Sequence, residues 1–212
     1  MISLVKRKVL NQVAFWISYV KLIPILKKVN ESSLIIDCGA NVGDISALFL
    51  TKNASVIAFE PDPMAFMMIQ RRFEGNNNIE CINKAVAHKA STAKLYFHAD
   101  QQQNSNSAFT VSSSIIQDKI NINTDNSIEI ETVDLDSYIT NLNKSVDILK
   151  MDVEGAEIDI LNKLIKNGTY KKIGVILVET HETKIPGHKE MVEDLKATIS
   201  RLKIENIKLN WI

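Results

Sequence analysis

The sequence predicts an α/β fold in which a mostly parallel sheet carries helices on both faces. From residue 33 onward, short apolar runs alternate with helical patterns, as is typical of strands joined by crossover helices. The chain has 212 residues, of which 45% are hydrophobic, and this is enough for one globular core. We therefore expect an amphipathic helical segment over residues 1–30 and a single domain over residues 31–212.

The strands and helices can be placed from periodicity and from capping residues. Asp62 and Pro63 suit the N-cap and first turn of a helix, and Gly168 suits a C-terminal cap. The predicted strands cover residues 33–38, 55–60, 79–86, 92–97, 128–133, 146–151, 173–179 and 204–211, and the predicted helices cover residues 45–51, 63–73, 135–142, 156–167 and 189–202.

Residues 98–127 interrupt this alternation with a long polar stretch that includes the run from Gln101 to Ser107. Long loops on compact domains often carry function. We expect an insertion here, which is either a solvated loop or a lid that closes over the substrate.

The N-terminal segment is basic and amphipathic, with no acidic residue before Glu31. Its apolar residues recur at helical spacing, but polar residues interrupt them too often for a membrane span. No small-residue cleavage site of a signal peptide follows it. We expect a helix that covers the core, or one in which residues 1–28 make a peripheral contact with a membrane or a partner.

The composition sets broad limits on partners and compartment. Twenty-five basic residues balance 25 acidic ones, so we expect no nucleic-acid partner. Cys38 and Cys81 lie in apolar runs and are predicted to be buried free thiols, which favours a reducing, cytoplasmic location. The sequence leaves the oligomeric state open.

A glycine-bearing turn directly follows the first predicted strand and precedes a helix. Its glycines allow a tight turn and a close approach to a ligand, while the helix start offers N–H groups to an anion. A dinucleotide fingerprint would place glycines where this chain has Asn41 and Asp44, so a diphosphate is disfavoured. The cofactor-binding candidates here are Asp37, Gly39, Ala40, Asn41 and Gly43.

Two further strand ends carry binding candidates. Glu60, followed by Pro61, ends the second strand at about the ~20-residue distance at which an acid reaches ribose hydroxyls. Asn83 is placed where an amide could reach the base of the ligand, or could instead cap a loop.

Acids and one histidine follow the strands ending at residues 151 and 179. Asp152 and Glu154 leave a buried strand at the edge where ligands bind in open α/β sheets, and His181 titrates near neutrality. Asp152, Glu154 and His181 are therefore the catalytic candidates, and Asp152 is also a cofactor contact. Asp152, Glu179 and His181 could instead hold a divalent metal, but their spacing matches no dedicated metal motif, so we expect none.

Taken in order, these motifs resemble the FkbM-type family of S-adenosylmethionine-dependent O-methyltransferases. The likeness covers roughly residues 33–182 and rests on residues 37–43, 59–61, 83–85, 112–114, 133–138 and, most specifically, 147–157. The resemblance implies a Rossmann-like class I methyltransferase fold, S-adenosylmethionine as cofactor, and methylation of a hydroxyl on a sugar, glycan or metabolite. One departure is the C-terminus, where such folds usually end in an antiparallel hairpin pair and this sequence predicts a single strand.

Two other functions stay open at this point. An NAD-dependent oxidoreductase would need a diphosphate cradle, which Asn41 and Asp44 disfavour. A catalytically silent interaction module would bind S-adenosylmethionine without turnover, and the intact acids at positions 152 and 154 weigh weakly against it.

Overall fold

The computed structural model describes residues 4–98, 114–115, 122–182, 184–209 and 211. The elements alternate as the sequence predicts, and the α/β class is confirmed. In chain order they are α1 (Leu4–Leu26), β1 (Leu34–Cys38), α2 (Asp44–Leu50), β2 (Ser55–Phe59), α3 (Pro63–Arg72), β3 (Ile79–Ile82), β4 (Ala85–Ala87), β5 (Ser91–His98), β6 (Ile122–Asp134), α4 (Leu135–Asn141), β7 (Val146–Met151), α5 (Glu157–Asn167), β8 (Ile173–Val178), α6 (His188–Arg201) and β9 (Ile207–Leu209).

The main sheet has six strands in the order β3-β2-β1-β7-β8-β9, and every pairing between them is parallel. The chain runs outward from β1 to β3 on one side and later from β7 to β9 on the other. The strand order therefore reverses between β1 and β7, and the carboxyl ends of strands at such a switch point open a ligand crevice. The loops after β1, β2 and β7 meet at this edge.

Helices cover both faces of the main sheet. Leu34, Ile36 and Cys38 of β1 pack in a buried cluster with residues of α4, α5 and α6. Ile35 belongs to a second cluster with residues of α1, α2 and α3. Alternate side chains of β1 therefore pack into apolar layers on opposite faces of the sheet, which gives the three-layer Rossmann-like arrangement.

A second sheet of three strands has the order β4-β6-β5. The prediction of one strand over residues 79–86 is therefore wrong. The chain is interrupted at Asn83 and Lys84, so that β3 and β4 belong to different sheets. The second sheet also corrects the predicted insertion over residues 98–127, because β6 begins at Ile122 and pairs antiparallel with β5. Most of the remaining insertion lies outside the described residues.

The predicted N-terminal helix is present as α1, and its described side chains differ in packing along the helix. Leu22 and Leu26 are buried against the core, whereas Val13, Trp16 and Val20 are at least half exposed. Among the described residues, no helix has both the length and the apolar character needed to cross a membrane. The covering role assigned to this segment therefore holds for its last turns.

The C-terminal strand predicted over residues 204–211 is shorter than expected. It is β9, which pairs parallel with β8 through Ile207, Lys208 and Leu209. The caps at Asp62 and Gly168 are confirmed: the Asp62 carboxylate accepts the N–H of Met64, and Gly168 has a left-handed conformation with φ of 76°.

Candidate cofactor and catalytic site

The loop after β1 passes so close to the loop after β7 that there is room only for a glycine at position 39. Gly39 has φ of +73°, and a Cβ atom there would overlap the carbonyl oxygen of Asp152. The N–H groups of Gly39 and Ala40 both donate to the carbonyl of Phe59, at 2.9 and 3.0 Å. The loops after β1, β2 and β7 are thereby held in direct contact at the carboxyl edge of the sheet.

Glu60 is buried where β2 ends, and the backbone holds its carboxylate in place. Oε2 accepts the N–H of Asn41 at 2.7 Å, and Oε1 accepts the N–H of Asp62 at 2.8 Å. Burial raises the pKa of Glu60 to about 8, although the two N–H donors oppose that rise. Because each carboxylate oxygen has two lone pairs, each keeps one acceptor position for a ligand.

These loops line a cavity that is open to solvent at the carboxyl edge of the sheet. Glu60 and Asp152 reach it from opposite loops, with Glu154 beside Asp152. Its apolar wall consists of Phe59, Pro61, Val86, Leu95 and Ile115. The cavity thus combines an apolar surface with carboxylates on two sides.

A buried ion pair lies beneath the floor of the cavity. Asp37 is fully buried, its Oδ1 is 3.2 Å from Lys150 Nζ, and its Oδ2 accepts the hydroxyl of Ser46 at 2.7 Å. Burial acts to lower the pKa of Lys150, but the Asp37 and Asp152 carboxylates outweigh it and raise that pKa above its ordinary value. Lys150 also donates to the carbonyl of Gly39 at 2.8 Å, so it fixes the loop above it.

The catalytic candidates form one cluster around a buried imidazole. His181 Nε2 lies 3.0 Å from Glu154 Oε2, 3.6 Å from Asp152 Oδ1 and 3.9 Å from Glu179 Oε1. The His181 side chain is 1% exposed, whereas that of Asp152 is 28% exposed and lines the cavity. Asp152 therefore faces the cavity, and His181 lies behind it.

Glu157, on the other side of the imidazole, fixes the ring. Its Oε1 lies 2.8 Å from His181 Nδ1, and its two oxygens accept the N–H of Gly155 at 3.1 and 2.9 Å. Burial acts to lower the pKa of His181, but the Glu157 hydrogen bond and the charges of Glu154, Glu157 and Asp152 outweigh it and raise that pKa. Burial is also the main cause that raises the pKa of Asp152 to about 7.

The methyltransferase FkbM domain model matches residues 37–203, which include every side chain of this cluster. The chain belongs to the FkbM methyltransferase family. It is 28% identical over 149 residues to Methyltransferase 1 of Beauveria bassiana and 27% identical over 137 residues to the 2-O-methyltransferase NoeI of Sinorhizobium fredii. These alignments cover 63% and 60% of this chain but only 59% and 56% of the two relatives.

A solved structure from Pyrococcus horikoshii, assigned as an RNA methyltransferase, aligns with 85% of this chain and 64% of its own. Its TM-score is 0.43 at 13% identity, which is too low to support any conclusion about this chain.

The FkbM fold brings most of the predicted site residues to one edge but gives several of them other partners. Asp37 pairs with Lys150 under the floor, so its carboxylate is not turned to the cavity. Asn83 donates its amide to the carbonyls of Glu60 and Pro61, at 2.8 and 3.2 Å, which matches the loop-capping alternative.

The N–H groups of the glycine turn are also less available than the sequence suggested. Asn41 donates to Glu60, Val42 to the Asn41 side chain, and Gly43 to the carbonyl of Ala40. These bonds shape the turn itself and leave those three N–H groups with acceptors inside the protein.

Sequence reasoning assigned no site role to Lys150 or to the imidazole contact of Glu157. A lysine directly among the apolar residues Ile148, Leu149 and Met151 of β7 was the available signal for the first, since an unpaired charge is costly to bury. No local signal indicates the second, because Glu157 and His181 are 24 positions apart.

Proposed function

We propose that this chain is an S-adenosylmethionine-dependent O-methyltransferase acting on a hydroxyl of a sugar, glycan or other metabolite. The observation that carries the proposal is the shared cavity of Gly39, Glu60 and Asp152, bounded by the three loops at the strand-order switch. Family membership supports methyl transfer, and the name of NoeI, a 2-O-methyltransferase, supports an oxygen acceptor.

The residues around the cavity fit the cofactor's parts. The free acceptor positions of the Glu60 carboxylate suit the two ribose hydroxyls, and the apolar wall suits the adenine ring. Asp152 supplies a carboxylate near the loop after β1, where the ammonium of the methionine part would bind.

When bound, S-adenosylmethionine supplies an electrophilic methyl group on a sulfonium. Transfer of that methyl group to a hydroxyl would require loss of the hydroxyl proton, and Asp152 would accept it. Asp152 is the exposed carboxylate of the cluster, so it is the group placed to touch the acceptor. His181 Nε2 is buried behind it and acts as a positioning residue.

The insertion near the cavity and the cellular location of the protein are also part of this proposal. Ile115 lines the cavity, and Ser114 donates to the carbonyl of Glu154 at 2.6 Å, so the described part of the insertion already touches the site. We place the protein in the cytoplasm, with a peripheral membrane contact through the exposed apolar side chains and Lys21 of α1 and through Lys27 and Lys28, which follow it.

Two titrations and one assay test this function. Calorimetry should show saturable binding of S-adenosylmethionine and none of NAD. A screen with labelled methyl donor over glycans, lipids and small metabolites should then find an acceptor. Asp152→Asn should abolish transfer to it, whereas Asp159→Asn, an exposed acid on α5, should not. Binding without turnover on any acceptor would favour the silent interaction module, and binding of NAD alone would overturn the proposal.

A further inference from the structure

A buried nitrogen that has no hydrogen-bond partner among the described residues points into the acidic cluster. His181 Nε2 has three carboxylate oxygens within 3.9 Å, from Asp152, Glu154 and Glu179. The nearest, Glu154 Oε2 at 3.0 Å, does not have the geometry of a hydrogen bond to it. An unsatisfied polar atom at such a site needs a physical reason.

The contact of the other ring nitrogen, Nδ1, bears on which protonation states of His181 fit the structure. Glu157 already accepts the N–H of Gly155, and its 2.8 Å contact with His181 is a hydrogen bond when Nδ1 of His181 is the donor. Nε2 then carries either a second proton or a lone pair. A lone pair beside carboxylate oxygens is repulsive unless a cation lies between them.

We propose that Asp152, Glu154 and His181 bind a divalent cation of the Mn²⁺ or Mg²⁺ class. One donor atom from each residue lies within 4.8 Å of the other two. Two donors at right angles around a cation roughly 2.1 Å away are about 3.0 Å apart, which is the separation of His181 Nε2 and Glu154 Oε2. Two carboxylates favour Mg²⁺ and Mn²⁺, and the imidazole favours Mn²⁺ of the two.

The surroundings of these three ligands match those of known metal sites. A ligating histidine almost always donates its other N–H to a carboxylate or carbonyl, as His181 does to Glu157. Glu154 has φ of +58°, an uncommon conformation for a residue other than glycine, and Ser114 holds its carbonyl. Strain of this kind clusters at ligand-binding sites.

The ligand set leaves coordination positions on the side of the cavity that Asp152 lines. A cation there would hold the acceptor hydroxyl and lower its pKa. This role rests on the proposed function, but binding of the cation does not.

The test is titration of the chelator-treated full chain with Mn²⁺, followed by calorimetry and pulsed electron paramagnetic resonance. The wild-type chain should bind one Mn²⁺ with nitrogen coupling from one imidazole. Glu154→Gln and Asp152→Asn should each weaken binding roughly tenfold or more, and Glu157→Gln about 10–100-fold. Glu193→Gln, which changes an exposed acid on α6, should leave the affinity unchanged.

The wild-type chain alone can decide the proposal, so a variant that fails to fold does not obscure it. Absence of saturable binding of Mn²⁺ and Mg²⁺, or bound Mn²⁺ without nitrogen coupling, would overturn it and leave His181 as an imidazolium paired with the carboxylates. If the chain binds S-adenosylmethionine but no cation, the cation site is wrong and the proposed function still stands. A chain that binds Mn²⁺ but no S-adenosylmethionine loses the proposed function instead.

Discussion

Binding of the nucleoside part of the cofactor should depend on pH through Glu60. Burial raises the pKa of this carboxyl group to about 8, so near neutral pH it is mostly protonated in the free protein. Two ribose hydroxyls donate to a carboxylate, so binding favours its ionised form. The affinity should therefore rise with pH up to the pKa and then level off.

The size of this effect follows from the pKa. The ionised fraction of a group with a pKa of about 8 is about half at pH 8 and about 1% at pH 6. If only the carboxylate binds the ribose, the affinity at pH 6 should be roughly 50-fold weaker than at pH 8, which is about 2.3 kcal/mol.

Adenosine is the right probe, because it has the ribose and the base but lacks the amino acid part, whose ammonium titrates in the same range. Calorimetry from pH 6 to pH 9, in pairs of buffers with different ionisation enthalpies, would measure both the affinity and the proton released. The control is Glu60→Gln, which keeps the shape and cannot ionise; its weaker affinity should be flat with pH. An affinity for the wild-type chain that stays flat from pH 6 to pH 9, or an equal affinity in the variant, would refute the assignment of Glu60 to the ribose.

Three other substitutions test the turn at Gly39, the buried ion pair of Lys150 and the exposed side of α1. Gly39→Ala should lower the free energy of unfolding by about 1–3 kcal/mol more than Gly75→Ala. Both glycines have a left-handed backbone, but only a Cβ atom at position 39 would meet other described atoms. Urea unfolding of the two variants measures the difference, and equal losses would contradict this prediction. Lys150→Met should cost about 3–5 kcal/mol by leaving Asp37 buried without its cation, and a loss below about 1 kcal/mol would mean that the pair is not needed. Trp16→Ala should weaken cosedimentation with anionic vesicles, and if wild-type protein does not sediment with them, α1 does not bind that surface.

The sequence predicted the parts of the fold that local patterns decide. Each strand of the main sheet begins within about three residues of its predicted start, because apolar runs between turn residues fix the existence of strands better than their ends. Asp62 was recognisable as a cap because its carboxylate satisfies N–H groups only two and three positions away.

The errors arose where distant pairing outweighs local composition. Residues 122–127 are mostly polar and were assigned to the insertion, yet they form the start of β6, where Ile122 and Ser127 pair with residues of β5. The strand predicted over residues 79–86 includes Asn83 and Lys84 because apolar residues lie on both sides of this pair. The Asn83 side chain instead bonds two carbonyls after β2, and the chain turns there into the second sheet.

The candidate site was predictable in its residue types but not in its contacts. The acids at strand ends were visible because the carboxyl edge of a parallel sheet is where ligands bind. Their partners were not: Asp37 faces Lys150 from a neighbouring strand, and His181 lies between acids from the loops after β7 and β8. Such pairs depend on strand order, which no single segment encodes.

The proposed function requires that the loops after β1, β2 and β7 form one cofactor site. Its most direct test is a crystal structure of the chain with S-adenosylhomocysteine, the product that the methyl donor leaves behind. Both ribose hydroxyls should lie within hydrogen-bond distance of Glu60, and the amino acid part should lie between Gly39 and Asp152. Density for the nucleoside at another surface, with Glu60 still bonded only to the backbone, would contradict it.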